Sequence, residues 1–131
     1  AQPLHPQIDP RDLVLLTTLK QAMDQGLYRE PGLAIETLSE KLKTPVHRLR
    51  ELINQGLGHR NFSAFVNSYR LSHAKAALAD PARGRDTILA IAYESGFGAL
   101  QSFNRVFREA EGETPSEYRE KRLKEAAQSQ K

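Results

Sequence analysis

The stretch "DTILAIAYESGFGALQSFNRVFREAEGETPSEYRE", residues 86–120, decides the fold. Thr87 can cap a helix running to Tyr93. Gly96-Phe97-Gly98 interrupts the helical pattern, which resumes from Ala99 to Ala110 with Phe103, Val106 and Phe107 on one side. "GETP" breaks it again, and Ser116 is the expected cap of a last helix carrying Tyr118. Ala92, Gly96 and Phe103 together have the spacing of a helix-turn-helix. A small residue at 92 lets two helices cross closely, a glycine at 96 supplies a left-handed turn, and Phe103 closes the corner. Such a unit leaves its second helix facing outward.

The same pattern occurs once more upstream. Leu38-Ser39 superposes on Ile91-Ala92, 53 residues later, and Leu42-Lys43-Thr44 then falls on Ser95-Gly96-Phe97. With one extra residue in the second turn, Leu49, Leu52 and Ile53 fall on Phe103, Val106 and Phe107, and Gly58 on Gly112. After the break, Phe62-Ser63 matches Pro115-Ser116 and Phe65 matches Tyr118. The first copy has Ser39 and Lys43 at the two positions where the second has alanine and glycine. A left-handed lysine costs about 1–2 kcal/mol, so its turn is expected to differ or to carry strain.

The remaining elements follow from periodicity and breakers. Asp9-Pro10 opens a helix with Leu13, Leu16, Leu19 and Met23 at helical spacing, and Gly26 stops it. Further helices are expected over 35–42, 46–55 and 62–79, the last ended by "DPARGRD". No strand pattern is present. The expectation is an all-α chain of seven helices: a first helix-turn-helix at about 35–56, a linker helix at 62–79 and a second helix-turn-helix at about 87–111. Residues 1–8 read as linker from an upstream region, 9–120 as one domain, and 121–131 as a polar tail.

Composition narrows the function classes. The chain has 131 residues, 39% of them hydrophobic and 27% charged. No apolar run reaches the roughly 20 residues of a membrane helix. Without cysteine there are neither disulfides nor thiolate metal sites. The histidines at 5, 47, 59 and 73 lack ligand spacing, no nucleophile–base constellation is visible, and neither enzymatic activity nor a cofactor is expected. Gly96-x-Gly98 and Gly56-x-Gly58 lack the strand context of a nucleotide loop and punctuate helices instead. A net charge of +3 weakly favours an anionic partner. Met23 is the only methionine, so Ala1 is expected to be a processed or internal start, with the chain a C-terminal piece of something longer.

These residues resemble the AraC/XylS-type bacterial transcription regulators. The resemblance rests on the Ile-Ala, Gly-Phe, Phe-x-Arg-x-Phe and Gly-x-Thr-Pro-Ser-x-Tyr-Arg elements of residues 86–120, joined by the upstream "LSEKLKTPVHRLRELINQGLGHRNFSAFVNSYRLSHAKAAL". It implies the family's C-terminal DNA-binding domain: two helix-turn-helix units, each a homeodomain-like three-helix subdomain, on a long helix. Their reading helices would enter successive major grooves of promoter DNA. The resemblance puts His47, Arg50 and Glu51 of the first reading helix, and Leu100, Gln101, Asn104 and Arg105 of the second, toward base edges. It puts Arg48, Asn54 and Arg108 toward the DNA backbone, and the helix starts near Thr44 and Thr87, with the loop His59, Arg60 and Asn61, suit phosphates through free N–H groups and positive charge. Arginine can pair with guanine, glutamine or asparagine with adenine, glutamate with cytosine, and leucine can meet a thymine methyl.

The resemblance further implies an activator rather than a repressor, monomeric as this fragment, with RNA polymerase as a second partner. It places the protein in the cytoplasm at the nucleoid, with dimerisation or membrane tethering left to an upstream region. Two alternatives stand beside it. The helices could form a protein-interaction module docking on RNA polymerase, with DNA contact secondary. Each arginine alone could be an ordinary solvated side chain.

Overall fold

The computed structural model describes residues 10–129; Asp9 and the linker read over 1–8 lie outside the described residues. Seven α-helices and no strand are found among them: α1 Leu13–Asp24, α2 Ile35–Leu42, α3 Val46–Glu51, α4 Phe62–Ala79, α5 Ile88–Glu94, α6 Leu100–Glu111 and α7 Pro115–Ser129. The all-α expectation holds. The chain divides into two compact units, residues 1–68 and 69–131, so the boundary falls within α4.

In the first unit α2 packs against both α1 and α3. Its buried side chains are Leu16, Leu19 and Met23 of α1, Ile35 and Leu38 of α2, Leu49 of α3, then Leu52, Ile53, Phe65 and Val66. The reading helix differs from expectation at its end. After Glu51 the backbone widens into π-helix over Leu52–Gly56, and the Leu57 N–H reaches back to the Leu52 carbonyl at 2.8 Å. Leu52 and Ile53, the first two residues of the widened segment, are both buried.

In the second unit α5 packs on α6 and α6 on α7. Ala74, Ala77 and Leu78 of α4 join Ile91, Ala92, Phe97, Phe103, Phe107 and Tyr118 in one apolar cluster. Its aromatic rings form a chain: Phe97 to Phe103 at 5.0 Å, Phe103 to Phe107 at 5.6 Å, and Phe107 edge-on to Tyr118 at 5.4 Å. Edge-to-face contacts of this kind add to the stabilisation from area burial.

The repeat read in the sequence is a repeat of hydrogen bonds. In the first turn the Thr44 N–H donates to the Ser39 carbonyl at 3.1 Å and the Lys43 N–H to Glu40 at 3.4 Å. In the second, Phe97 donates to Ala92 at 3.1 Å and Gly96 to Tyr93 at 3.0 Å. Both are the paired bonds of a Schellman motif, which requires a left-handed residue just past the helix end. Gly96 supplies it with φ 108°, and Lys43 with φ 52°, the one positive-φ residue among those described that is not glycine. The first turn gains a compensating bond that alanine at the crossing position could not make. The Ser39 hydroxyl donates across the corner to the Thr44 carbonyl at 2.5 Å.

The copies match at their far ends as well. Gly58 and Gly112 are both left-handed, at φ 78° and 75°. Asn61 then caps α4 by accepting from the Ala64 N–H at 2.8 Å. Its counterpart is Thr114, not the expected Ser116. The Glu117 N–H donates to the Thr114 hydroxyl at 3.1 Å, and the Thr114 N–H to the Glu117 carboxylate at 2.8 Å. This is a capping box, so Ser116 lies inside the first turn of α7. The backbone N–H of Thr114 holds the Glu117 carboxyl below its ordinary value. Residues 121–129, read as tail, continue α7. Thr87 caps α5 as expected, accepting from the Ala90 N–H at 3.0 Å.

The cap assignment predicts that Thr114→Ala lowers stability by about 1 kcal/mol. Ser116→Ala, on the exposed side of the same turn, should stay within about 0.5 kcal/mol of the parent. Thermal melts of the two variants distinguish the assignments.

Candidate nucleic-acid interface

In the first unit the turn delivers α3 with Leu49 buried and His47, Arg50 and Glu51 exposed. Asn54 is exposed on the π-helical segment that follows. Arg48 is also exposed but is not idle: its guanidinium is held by the Asp12 carboxylate, from the 3₁₀ turn that precedes α1. Thr44 is half-buried, and both its donors are used within the turn. Its N–H goes to Ser39 and its hydroxyl to the Leu42 carbonyl at 3.0 Å. Arg60 and Asn61 are exposed beyond the helix, with the Asn61 side-chain oxygen engaged as a cap.

His59 is half-buried with its ring 5.4 Å from that of Phe65, in an edge-on arrangement. Burial pushes its imidazole below the ordinary histidine value of 6.5. Burial thus favours the neutral ring over the charged one, which suits it to a hydrogen bond more than to an ion pair.

In the second unit Phe103 and Phe107 hold α6 by one side, leaving Gln101, Asn104, Arg105 and Arg108 exposed. Leu100 is half-buried and packs on the apolar cluster, so only part of it is open to a partner. Leu100, Asn104, Arg105 and Arg108 share an open cleft of about 630 Å³ with Ile88, Thr114, Pro115 and Ser116. The starts of α5 and α7 thus flank the outward side of α6. The last three residues were not among the candidates, although the Thr-Pro-Ser sequence opening a capped helix is visible in the chain.

The turn of this unit is tied down by polar contacts. Buried Ser95 donates to the Ile91 carbonyl at 2.7 Å and meets His73 Nδ1 at 3.0 Å. His73 Nε2 lies 3.6 Å from Glu94, which takes two hydrogen bonds from Arg83 at 3.0 and 2.5 Å. Arg83 also donates to Asp86 at 2.7 Å. Hydrogen bonds donated to Glu94 and Asp86 raise the Arg83 pKa above its ordinary value. Arg70 lies over the Phe97 ring at 5.8 Å, from the α4 side.

Two helix-turn-helix units with outward second helices define a DNA-binding architecture. A family profile described as a helix-turn-helix domain matches residues 38–121. The chain belongs to this family, the AraC-type helix-turn-helix domains. An uncharacterized HTH-type transcriptional regulator of Staphylococcus aureus (strain MSSA476) is 32% identical over 93 residues, 71% of this chain but 12% of that protein. The chain thus spans only a small part of such relatives.

Among solved structures, a protein of unknown function from Listeria innocua is 27% identical. It has a TM-score of 0.68 and covers 82% of this chain and 95% of its own. The C-terminal domain of AraT, a response regulator from Geobacillus stearothermophilus, shares the fold. Its TM-score is 0.74 at 23% identity, over 89% of each chain.

The state of His59 makes a pH prediction. At pH 7.5 the ring is neutral folded and unfolded, and stability is at its full value. As pH falls through the ordinary histidine range, the unfolded chain takes up a proton that the folded chain refuses, and stability declines. Melting temperatures of the parent should drop between pH 7.5 and 6 by more than those of His59→Phe. Equal drops would assign the loss to other groups.

Proposed function

We propose that this chain binds duplex DNA sequence-specifically, with α3 and α6 entering successive major grooves about 34 Å apart. The observation that carries the reading is the duplicated turn. Each copy ends in the same paired hydrogen bonds and is followed by a helix with an apolar buried side. The outward side carries arginine in both copies, and among the described residues Arg50, Arg105 and Arg108 have no ion-pair partner. His47, Arg50 and Glu51 are the base readers of the first unit. Gln101, Asn104, Arg105 and the open part of Leu100 are those of the second.

Arg60 and Arg108 take the backbone role by charge. Asn54, Asn61, His59 and Thr87 take it as hydrogen-bond donors, and Thr44 joins them only by giving up its hydroxyl bond to the Leu42 carbonyl, since a phosphate oxygen accepts and does not donate. Arg48 contacts phosphate by exchanging the Asp12 carboxylate for a phosphate oxygen. Bidentate Arg–guanine pairs supply discrimination, and phosphate contacts supply position.

The regulatory role is that of an activator. Leu89 and Tyr93 stand one helical turn apart on α5 and are 44% and 50% exposed. Large apolar side chains exposed in this way suit a protein partner, and RNA polymerase is the partner proposed. Signal sensing and dimerisation are assigned to the rest of a longer protein, acting in the cytoplasm.

Selection of bound duplexes from a random pool, followed by mobility-shift titration, tests the reading. Arg50→Ala and Arg105→Ala should each cost about 1–3 kcal/mol on the selected site and relax preference at one or two positions. Arg60→Ala should weaken all sequences alike. Unchanged affinity in both Arg50→Ala and Arg105→Ala would overturn the assignment of readers.

A further inference from the structure

Six described residues adopt positive φ: five glycines, at 26, 32, 58, 96 and 112, and Lys43. The equivalent turn of the second unit makes the same two backbone bonds with glycine in that place. The fold therefore has no need of a side chain at position 43, and a β-carbon there is a conformational burden. Backbone strain held at one position points to a use for the residue that carries it. What lysine adds is an ammonium on a flexible stem. Lys43 is exposed, and among the described residues its ammonium has neither a hydrogen-bond nor an ion-pair partner. Arg48, the third residue of α3, is by contrast neutralised by Asp12. The turn between α2 and α3 thus carries an unpaired lysine three residues before α3, the helix proposed to read bases.

We propose that Lys43 is a DNA-phosphate contact set into the turn of the first helix-turn-helix, its strained backbone retained because the charge is wanted at that corner. When a reading helix lies in the major groove with its first residues on base edges, the turn that precedes it stands at the groove rim. The sugar–phosphate strand runs along that rim. A lysine there neutralises one phosphate and releases its counterion, which adds affinity without sequence preference. The contact has no counterpart in the second unit, where Gly96 occupies the equivalent position. This inference rests on the DNA-binding reading of α3.

The test uses Lys43→Gly and Lys43→Arg in the full chain, with thermal melts and duplex titrations across a salt series. Lys43→Gly removes the strain together with the charge. Its melting temperature should rise while its affinity falls, and the slope of log K against log salt should become shallower by about 0.9. From about 50 to 200 mM salt the parent should then lose about three- to fourfold more affinity than the variant. Lys43→Arg should restore the slope. A glycine variant that is more stable but keeps the parental affinity and slope would overturn the proposal, leaving a lysine that is merely tolerated. The DNA reading fails separately. A parent chain with no salt-dependent duplex binding sinks both, whereas an altered slope in Lys43→Gly beside unchanged affinity in Arg50→Ala keeps the phosphate contact and removes the reader.

Discussion

The structure depends on reversing the chain at the end of a short helix without orphaning backbone donors. Both units solve this with a bond that skips five residues back and a second that skips three, and both then require one residue in the left-handed region. The corner fixes the direction in which α3 and α6 depart, and hence which side is apolar. Leu49 and Phe103 occupy equivalent buried places because the corners are equivalent. If a corner were lost, the exposed arginines of the helix that follows would stay on that helix but would no longer be held outward from the core of their own unit.

Most of this was legible in the chain because helix-breaking residues and apolar spacing are local. Gly26, Gly58, Gly96 and Gly112 mark their own turns, and the repeat carried the pattern to Lys43, where no glycine announces it. The capping of α7 was legible too, but was placed two residues late. The deciding sign was Glu117 three residues after Thr114, which outweighs the serine between them.

The rest depends on contacts that sequence spacing does not encode. The pairing of Arg48 with Asp12 spans 36 positions and joins two elements. The π-helical widening after Glu51 has no marker residue of its own. At Leu100 an apolar side chain on the outward helix invited a role at a base, while packing on Phe-rich neighbours takes up half of it. Periodicity separates the two sides of a helix, but it leaves a residue at the border to be settled by what lies next to it.

The polar chain from Ser95 through His73, Glu94 and Arg83 to Asp86 gives the two units unequal mechanics. It ties the second corner to α4 and to the segment before α5, so that corner can open only by breaking side-chain bonds together with backbone ones. The first corner has only the short-range bonds of the Ser39 and Thr44 hydroxyls and already holds a residue away from its preferred conformation. Amide exchange should accordingly be slower at the second corner than at the first, which leaves the first corner the more easily deformed of the two.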